Sequence, residues 1–335
     1  MTTNRDATPV GVQEGAQSSV HPGLNGWVEA GLFAIALSVL NISYGLGHQI
    51  GAHPVAFLCY AMPVAAMTLL TFTGAGPNWW PIVRHPLSLV VGFGIIGMEA
   101  VYYVLLQIVS PTDGSLLVRL NVPAAALVGF LLLRRRPTGF GLIGQSIVLA
   151  GIFGFAATMG ESQRASGLLL AVACGLIMSL RAFATELHPW NRSARTIEEK
   201  MRLTGLVLLV TSLLGTGLVA GLMVMVAKGA IPAQAWLPQV HHFLHAPTVA
   251  LGLFMGALLL TTMQYLGFSV VLKIQAQNFV ATTALIPLVT LAFQIAAVSF
   301  GILSPVPVDW NVLPAMLVVA AGVAIVIWSG RSAVR

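Results

Sequence analysis

Long apolar runs alternate with short polar connections along this chain, a pattern that predicts helices crossing a bilayer. Runs of about 20 residues, enough to cross the hydrocarbon as a helix, fall at 27–46, 54–73, 88–109, 112–133, 139–158, 167–187, 203–227, 248–271, 279–300 and 310–329. The expectation is an all-α protein of ten spans. Pro63, Pro123 and Pro287 lie inside them, which membrane bundles tolerate because neighbouring groups satisfy the freed backbone. Their Gly/Ala/Ser-rich faces allow helices to approach closely. Residues 1–26 are polar and read as a disordered tail with no cleavable signal.

Composition agrees. The 335 residues are 57% hydrophobic and 8% charged, with a mean hydropathy of +0.89, too few charges to clothe a soluble domain. The two cysteines, Cys59 and Cys174, lie in apolar runs, so no disulfide framework is expected. The net charge of +6 does not imply nucleic-acid binding, because the basic residues are sorted by membrane side. With the N-terminus on side A, twelve of the sixteen Lys and Arg fall there, against Arg164 and Lys228 on side B. Arg119 and Arg181 lie within spans. The positive-inside rule makes side A cytoplasmic, with both termini inside.

The connection 188–201 divides the chain into five-span halves, 27–160 and 161–330. Aligning Pro123 with Pro287 pairs Ser115–Pro123 with Phe279–Pro287, and a two-residue gap pairs Tyr102 with Gln264 and Tyr103 with Tyr265. An odd number of spans per half makes the repeats insert upside down relative to each other. Such inverted repeats, around a central cavity, are a recurrent carrier architecture.

The candidate chemistry centres on 97–123. Two apolar helices there are expected to meet at a tight Pro111–Gly114 turn, each carrying one charge, Glu99 and Arg119. Their Cα depths differ by roughly 7–8 Å, which an arginine can bridge. Ionisable groups amid hydrocarbon cost about 2.5–3.5 kcal/mol each and mark functional candidates. Glu99, Tyr102, Tyr103 and Gln107 share a helical stripe. Glu99 is read as a proton carrier or cation partner, or else as the buried salt-bridge partner of Arg119. Arg119 is read as a carboxylate or phosphate clamp, or as that counter-ion alone.

Asn121, turned away from Arg119, is expected to bond a neighbouring helix. Arg181 either snorkels to side A or lines a pocket, while Glu186 and His188 are placed in the solvated interface. Asn41, Tyr44 and His48 recur at helical spacing in the first span. Gln264, Tyr265, Asn278, Thr282 and Thr283 offer uncharged hydrogen bonds in the second half. His241, His242 and His245 have no carboxylate or cysteine beside them, and read as an external amphipathic loop rather than a metal site. No nucleotide or triad motif occurs, so neither a cofactor nor ATP-driven transport is expected.

The segment Asn121–Gly151 has a mid-helix proline, an apolar helix, a charged turn and then Gly-x-x-apolar-x-x-x-Gly. Together with Pro287–Gly322 and Gly167–Ala182, it resembles the EamA-type branch of the drug/metabolite transporter superfamily. The resemblance extends over nearly all of the chain beyond residue 26. It departs from the family where Arg134, Arg135 and Arg136 stand in place of a glutamate, and near Tyr60, where members often carry an arginine. It implies alternating-access transport of a small organic metabolite, an amino acid or related compound, with export favoured, across a bacterial inner membrane.

The candidate site is then Asn41, Tyr44, Glu99, Tyr102, Tyr103, Arg119, Arg181, Gln264 and Tyr265. The expected partners are that small-molecule substrate, the bilayer and protons as coupling ion, with no nucleic acid, in a monomer or homodimer. The rival reading is a carrier of nucleotide-sugar, phosphorylated or lipid-linked anions. A membrane enzyme or sensor fits less well, since the polar residues lie at midplane depth and both termini are short.

Overall fold

The computed structural model describes residues 24–232, 236–304 and 312–332. The tail expected over 1–26 lies outside them except for its last three residues. The chain is 85% helical, without strands among the described residues. Among the described residues, ten helices are long and apolar enough to span a membrane. They are α1 (Gly26–Gln49), α2 (Pro54–Thr73), α3 (Pro86–Leu105), α4 (Pro111–Leu133), α5 (Gly139–Thr158), α6 (Glu161–Leu187), α7 (Ile197–Ala227), α8 (Ala246–Ile274), α9 (Ala276–Ser299) and α10 (Val312–Ser332). Bulky apolar side chains such as Phe72, Leu131, Leu169 and Leu218 point outward, as a lipid-facing surface requires.

Local chemistry sets the helix ends. Asn25 caps α1 by accepting the Trp27 N–H, and Thr138 caps α5. Thr196 and Glu199 form a reciprocal capping box that starts α7 at Ile197, six residues before the apolar pattern begins. Proline occupies the first turn of α2, α3 and α4, where its missing N–H costs nothing. The Pro111–Gly114 segment is therefore not a turn. Ser110 accepts the Asp113 N–H and Pro111 opens a helix. The chain reverses over 106–110 instead, and Gln107, past the end of α3, is exposed.

Two spans are interrupted alike. α4 tightens to a 3-10 turn at Val118–Leu120 and α9 at Thr283–Leu285, each just before its proline. Proline lacks the donor for the carbonyl four residues back, so Pro287 removes the α-helical partner of the Thr283 carbonyl. The two breaks meet: the Arg119 Nη1 donates to that carbonyl, and Asn121 Nδ2 lies 3.3 Å from Thr283 Oγ1. Asn121 also contacts Met178 Sδ at 3.0 Å, the interhelical role expected of it.

The principal packing pairs are α5 with α10, α2 with α7, α2 with α8, α4 with α6, α3 with α6, α1 with α8 and α1 with α9, and α3 packs less extensively on α7. α5 and α10 meet on glycine, since a Cβ on Gly144 would sit 2.5 Å from the Gly322 carbonyl oxygen.

Candidate functional site

Glu99 is fully buried near the middle of α3, and its Oε2 accepts a 2.6 Å hydrogen bond from the Tyr44 hydroxyl of α1. Its Oε1 has no partner. The salt bridge to Arg119 is not formed: the described ion pairs are Arg135–Glu186 and Lys273–Glu29. Depth alone permitted the pair, but helix rotation turns the two groups to different neighbours. Arg119 bonds instead to backbone, through Nε to the Ser115 carbonyl at 2.9 Å and through Nη1 to Thr283. Arg181 is buried rather than snorkelling, and its Nη1 reaches Gln264 Oε1 at 3.4 Å.

Two small voids adjoin these charges. Leu37, Asn41, Met98, Tyr102, Val118, Arg119, Cys174 and Met178 line one of about 20 Å³, room for a single water. Arg181, Thr185, Gln264, Phe268 and Phe279 are among the walls of a second, of about 10 Å³. The expected central chamber is not seen: the space beside Arg119 and Arg181 amounts to these two small voids, whose walls are mainly apolar. Asn41 Oδ1 and Tyr102 Oη on the first void, Gln264 Nε2 on the second, and Glu99 Oε1 and Asn121 Oδ1, which line neither, are buried without a protein hydrogen-bond partner. Leaving such atoms unpaired costs about 1–3 kcal/mol each.

Of the nine candidate residues, Asn41, Tyr44, Glu99, Tyr102, Arg119, Arg181 and Gln264 are buried in this region. Tyr103 belongs to the seal above it: its hydroxyl donates to the Ala52 carbonyl at 3.0 Å, and its ring packs on His48 and Tyr44. Tyr265 is only partly buried and lines neither void. Thr282 faces an outer groove with Trp27 and Ala320, leaving Thr283 as the inward threonine of that pair.

Both membrane sides are closed. On side B, Thr112 Oγ1 donates to Gln294 Oε1 at 2.6 Å, and Asn41 Nδ2 lies 3.3 Å from Thr290 Oγ1. On side A, Glu186 holds Arg135 with both carboxylate oxygens and accepts the Ala276 N–H at 2.9 Å. Lys273 pairs with Glu29 at 2.7 Å. Glu186 and His188 are therefore buried rather than solvated, because α6 and α9 converge on them. His188 Nε2 lies 2.9 Å from Ser88 Oγ. Burial, with His85 beside it, pushes the His188 pKa down to about 4.

Sequence reading missed Thr290, Gln294 and the void walls Met98 and Met178. It also missed Lys200, assigned to a loop but buried in the first turn of α7 with an unpaired Nζ. The Thr196–Glu199 capping box was the signal that could have placed Lys200 inside a helix. His242 and His245 serve local structure. The Gln239 N–H donates to His242 Nδ1 at 2.9 Å, and His245 Nδ1 lies 2.8 Å from Thr248 Oγ1.

No family model and no curated protein matches the chain. Seventeen solved chains are similar to it. One, described only as a crystal structure of a protein, superposes with a TM-score of 0.54 at 16% identity, covering 91% of this chain and 97% of that one. At that identity the likeness establishes the fold alone. The class is a multi-pass, ten-helix membrane protein, a form compatible with a transporter.

Proposed function

We propose that this protein is an alternating-access carrier of a small organic metabolite, an amino acid or related compound, with export the favoured direction, of the EamA-type drug/metabolite transporter branch. One observation carries the reading. Ionisable and polar side chains from α1, α3, α4, α6 and α8 are buried inside the bundle within the spans, and several of their polar atoms have no protein partner. Groups so costly in hydrocarbon persist where a polar ligand or water satisfies them in use.

The inverted-repeat reading draws support from the packing. Exchanging each helix of the first half with its counterpart five later leaves the pairings unchanged: α3–α6 becomes α8–α1, and α4–α6 becomes α9–α1. Arg119 and Thr283, equivalent when Pro123 is aligned with Pro287, touch each other, as residues beside a twofold axis do. Closure at both sides fits an occluded state, and the two voids are the collapsed form of a cavity that opens on either side in turn. Charge sorting supports a bacterial inner-membrane protein with both termini in the cytoplasm. No enzymatic step or cofactor is assigned.

Glu99, hydrogen-bonded through one oxygen only, is the coupling candidate. In proteoliposomes, Glu99→Gln should abolish proton-driven uphill accumulation while sparing downhill exchange. Unchanged uphill transport in that variant would remove proton coupling through this residue.

A further inference from the structure

The buried charges do not balance. The buried acids Glu29 and Glu186 are paired with Lys273 and Arg135, which leaves Glu99 as the buried acid without an ion pair among the described residues. Against it stand three buried cations with no ion pair: Arg119, Arg181 and Lys200. Arg181 bonds to the neutral Gln264 Oε1 at 3.4 Å. Arg119 bonds to the neutral carbonyls of Ser115 and Thr283 and lies on the void wall beside Tyr102. Lys200 sits beside the Lys273–Glu29 pair, which is already neutral.

The three cations also lie at successive depths. Arg119 is at the break in α4, Arg181 one to two turns from the side-A end of α6, and Lys200 in the first turn of α7 at side A. Unpaired polar atoms accompany the first two, Tyr102 Oη by Arg119 and Gln264 Nε2 by Arg181, and the Lys200 Nζ is itself unpaired. Side B has no counterpart among the described residues. There Lys228 is exposed, and Arg164 bonds the carbonyls of Ala157 and Met159.

We infer that the carried solute is an organic carboxylate of single net negative charge. Arg119 holds its head, and Arg181 and Lys200 lead it to and from side A. The inference rests on the carrier reading and sharpens its substrate. A zwitterion brings no net charge and leaves the guanidinium uncompensated in a low-dielectric interior, whereas a monoanion compensates it. The planar fork of arginine suits a carboxylate. The apolar side chains on the same void, Leu37, Met98, Val118 and Met178, call for a compact apolar body.

Four probes on one branched skeleton test this in proteoliposomes and by thermal shift: 4-methyl-2-oxopentanoate, leucine, 3-methylbutylamine and 3-methylbutyl phosphate. The oxo acid should be carried and should raise the melting temperature, with leucine and the amine at least tenfold weaker. Arg119→Gln should weaken oxo-acid binding at least tenfold. Arg119→Lys, which keeps the charge and loses the fork, should fall between. Lys200→Gln should lower the maximal rate several-fold while the thermal-shift affinity holds. Leucine carried as well as the oxo acid overturns the charge assignment and leaves the carrier reading standing. A tenfold preference for the phosphate ester overturns the carboxylate head. Failure of the folded protein to bind or carry any probe overturns both.

Discussion

His188 shows how a single buried side chain can set the acid limit of the whole bundle. Its ring is enclosed between Ser88 and His85 at the side-A end of α6 and is held neutral, with its pKa near 4. Unfolding returns the ring to its ordinary value near 6.5, so between those values the unfolded chain binds the extra proton. This contribution to stability is therefore complete above about pH 6.5. It is lost at about 1.4 kcal/mol per unit as the pH falls toward 4. Melting temperature against pH should show that slope, and His188→Gln, which keeps a hydrogen-bonding group, should flatten it. An unaltered slope in the variant would move the effect to another group. At the same scale Arg119 was only partly legible. Its depth follows from residue counting, whereas its bond to Thr283 depends on a carbonyl that a proline on another span deprives of its α-helical donor.

Close packing at the level of helices rests on missing side chains. The Cβ of an alanine at Gly144 would press into the Gly322 carbonyl, backbone against backbone, whereas one at Gly97 in α3 meets nothing within 4 Å. The same substitution should therefore act with opposite sign. Gly144→Ala should destabilise the protein by about 1–3 kcal/mol, because α5 and α10 must part. Gly97→Ala should stabilise it by up to about 1 kcal/mol through helix propensity. Thermal melts of the two variants in one detergent decide the matter, and equal shifts would contradict the α5–α10 contact. The existence of these helices was readable from apolar run length, since crossing hydrocarbon needs about 20 such residues wherever they pack. Their starts were less so. Ser110 and Thr196 move two boundaries by capping, which hydropathy does not register.

Across the whole molecule the two closures differ in kind. Side A is sealed by the described ion pairs, with Glu186 joining α6, the α4–α5 connection and the start of α9. Side B is sealed by neutral hydrogen bonds and packed aromatic rings around Tyr44 and Tyr103. Removing the Glu186 charge should loosen side A selectively. Cys174 is buried on the wall of the void beside Arg119 and reports this directly. In a Cys59→Ala background, Glu186→Gln should raise maleimide labelling of Cys174 from side A several-fold. Labelling that stays at background would show that the ion pair does not gate this side.

Taken alone, the order of residues determined how many times the chain crosses and how deep each ionic group lies. Both follow from apolar run length and a fixed rise per residue. Only the tertiary structure decided which groups meet. Glu99 binds Tyr44 instead of Arg119, Arg119 reaches the Thr283 carbonyl, and Lys200 is enclosed without a partner. The rotation and tilt of a helix inside a bundle are set by side chains on its neighbours, and no local pattern along one helix encodes them.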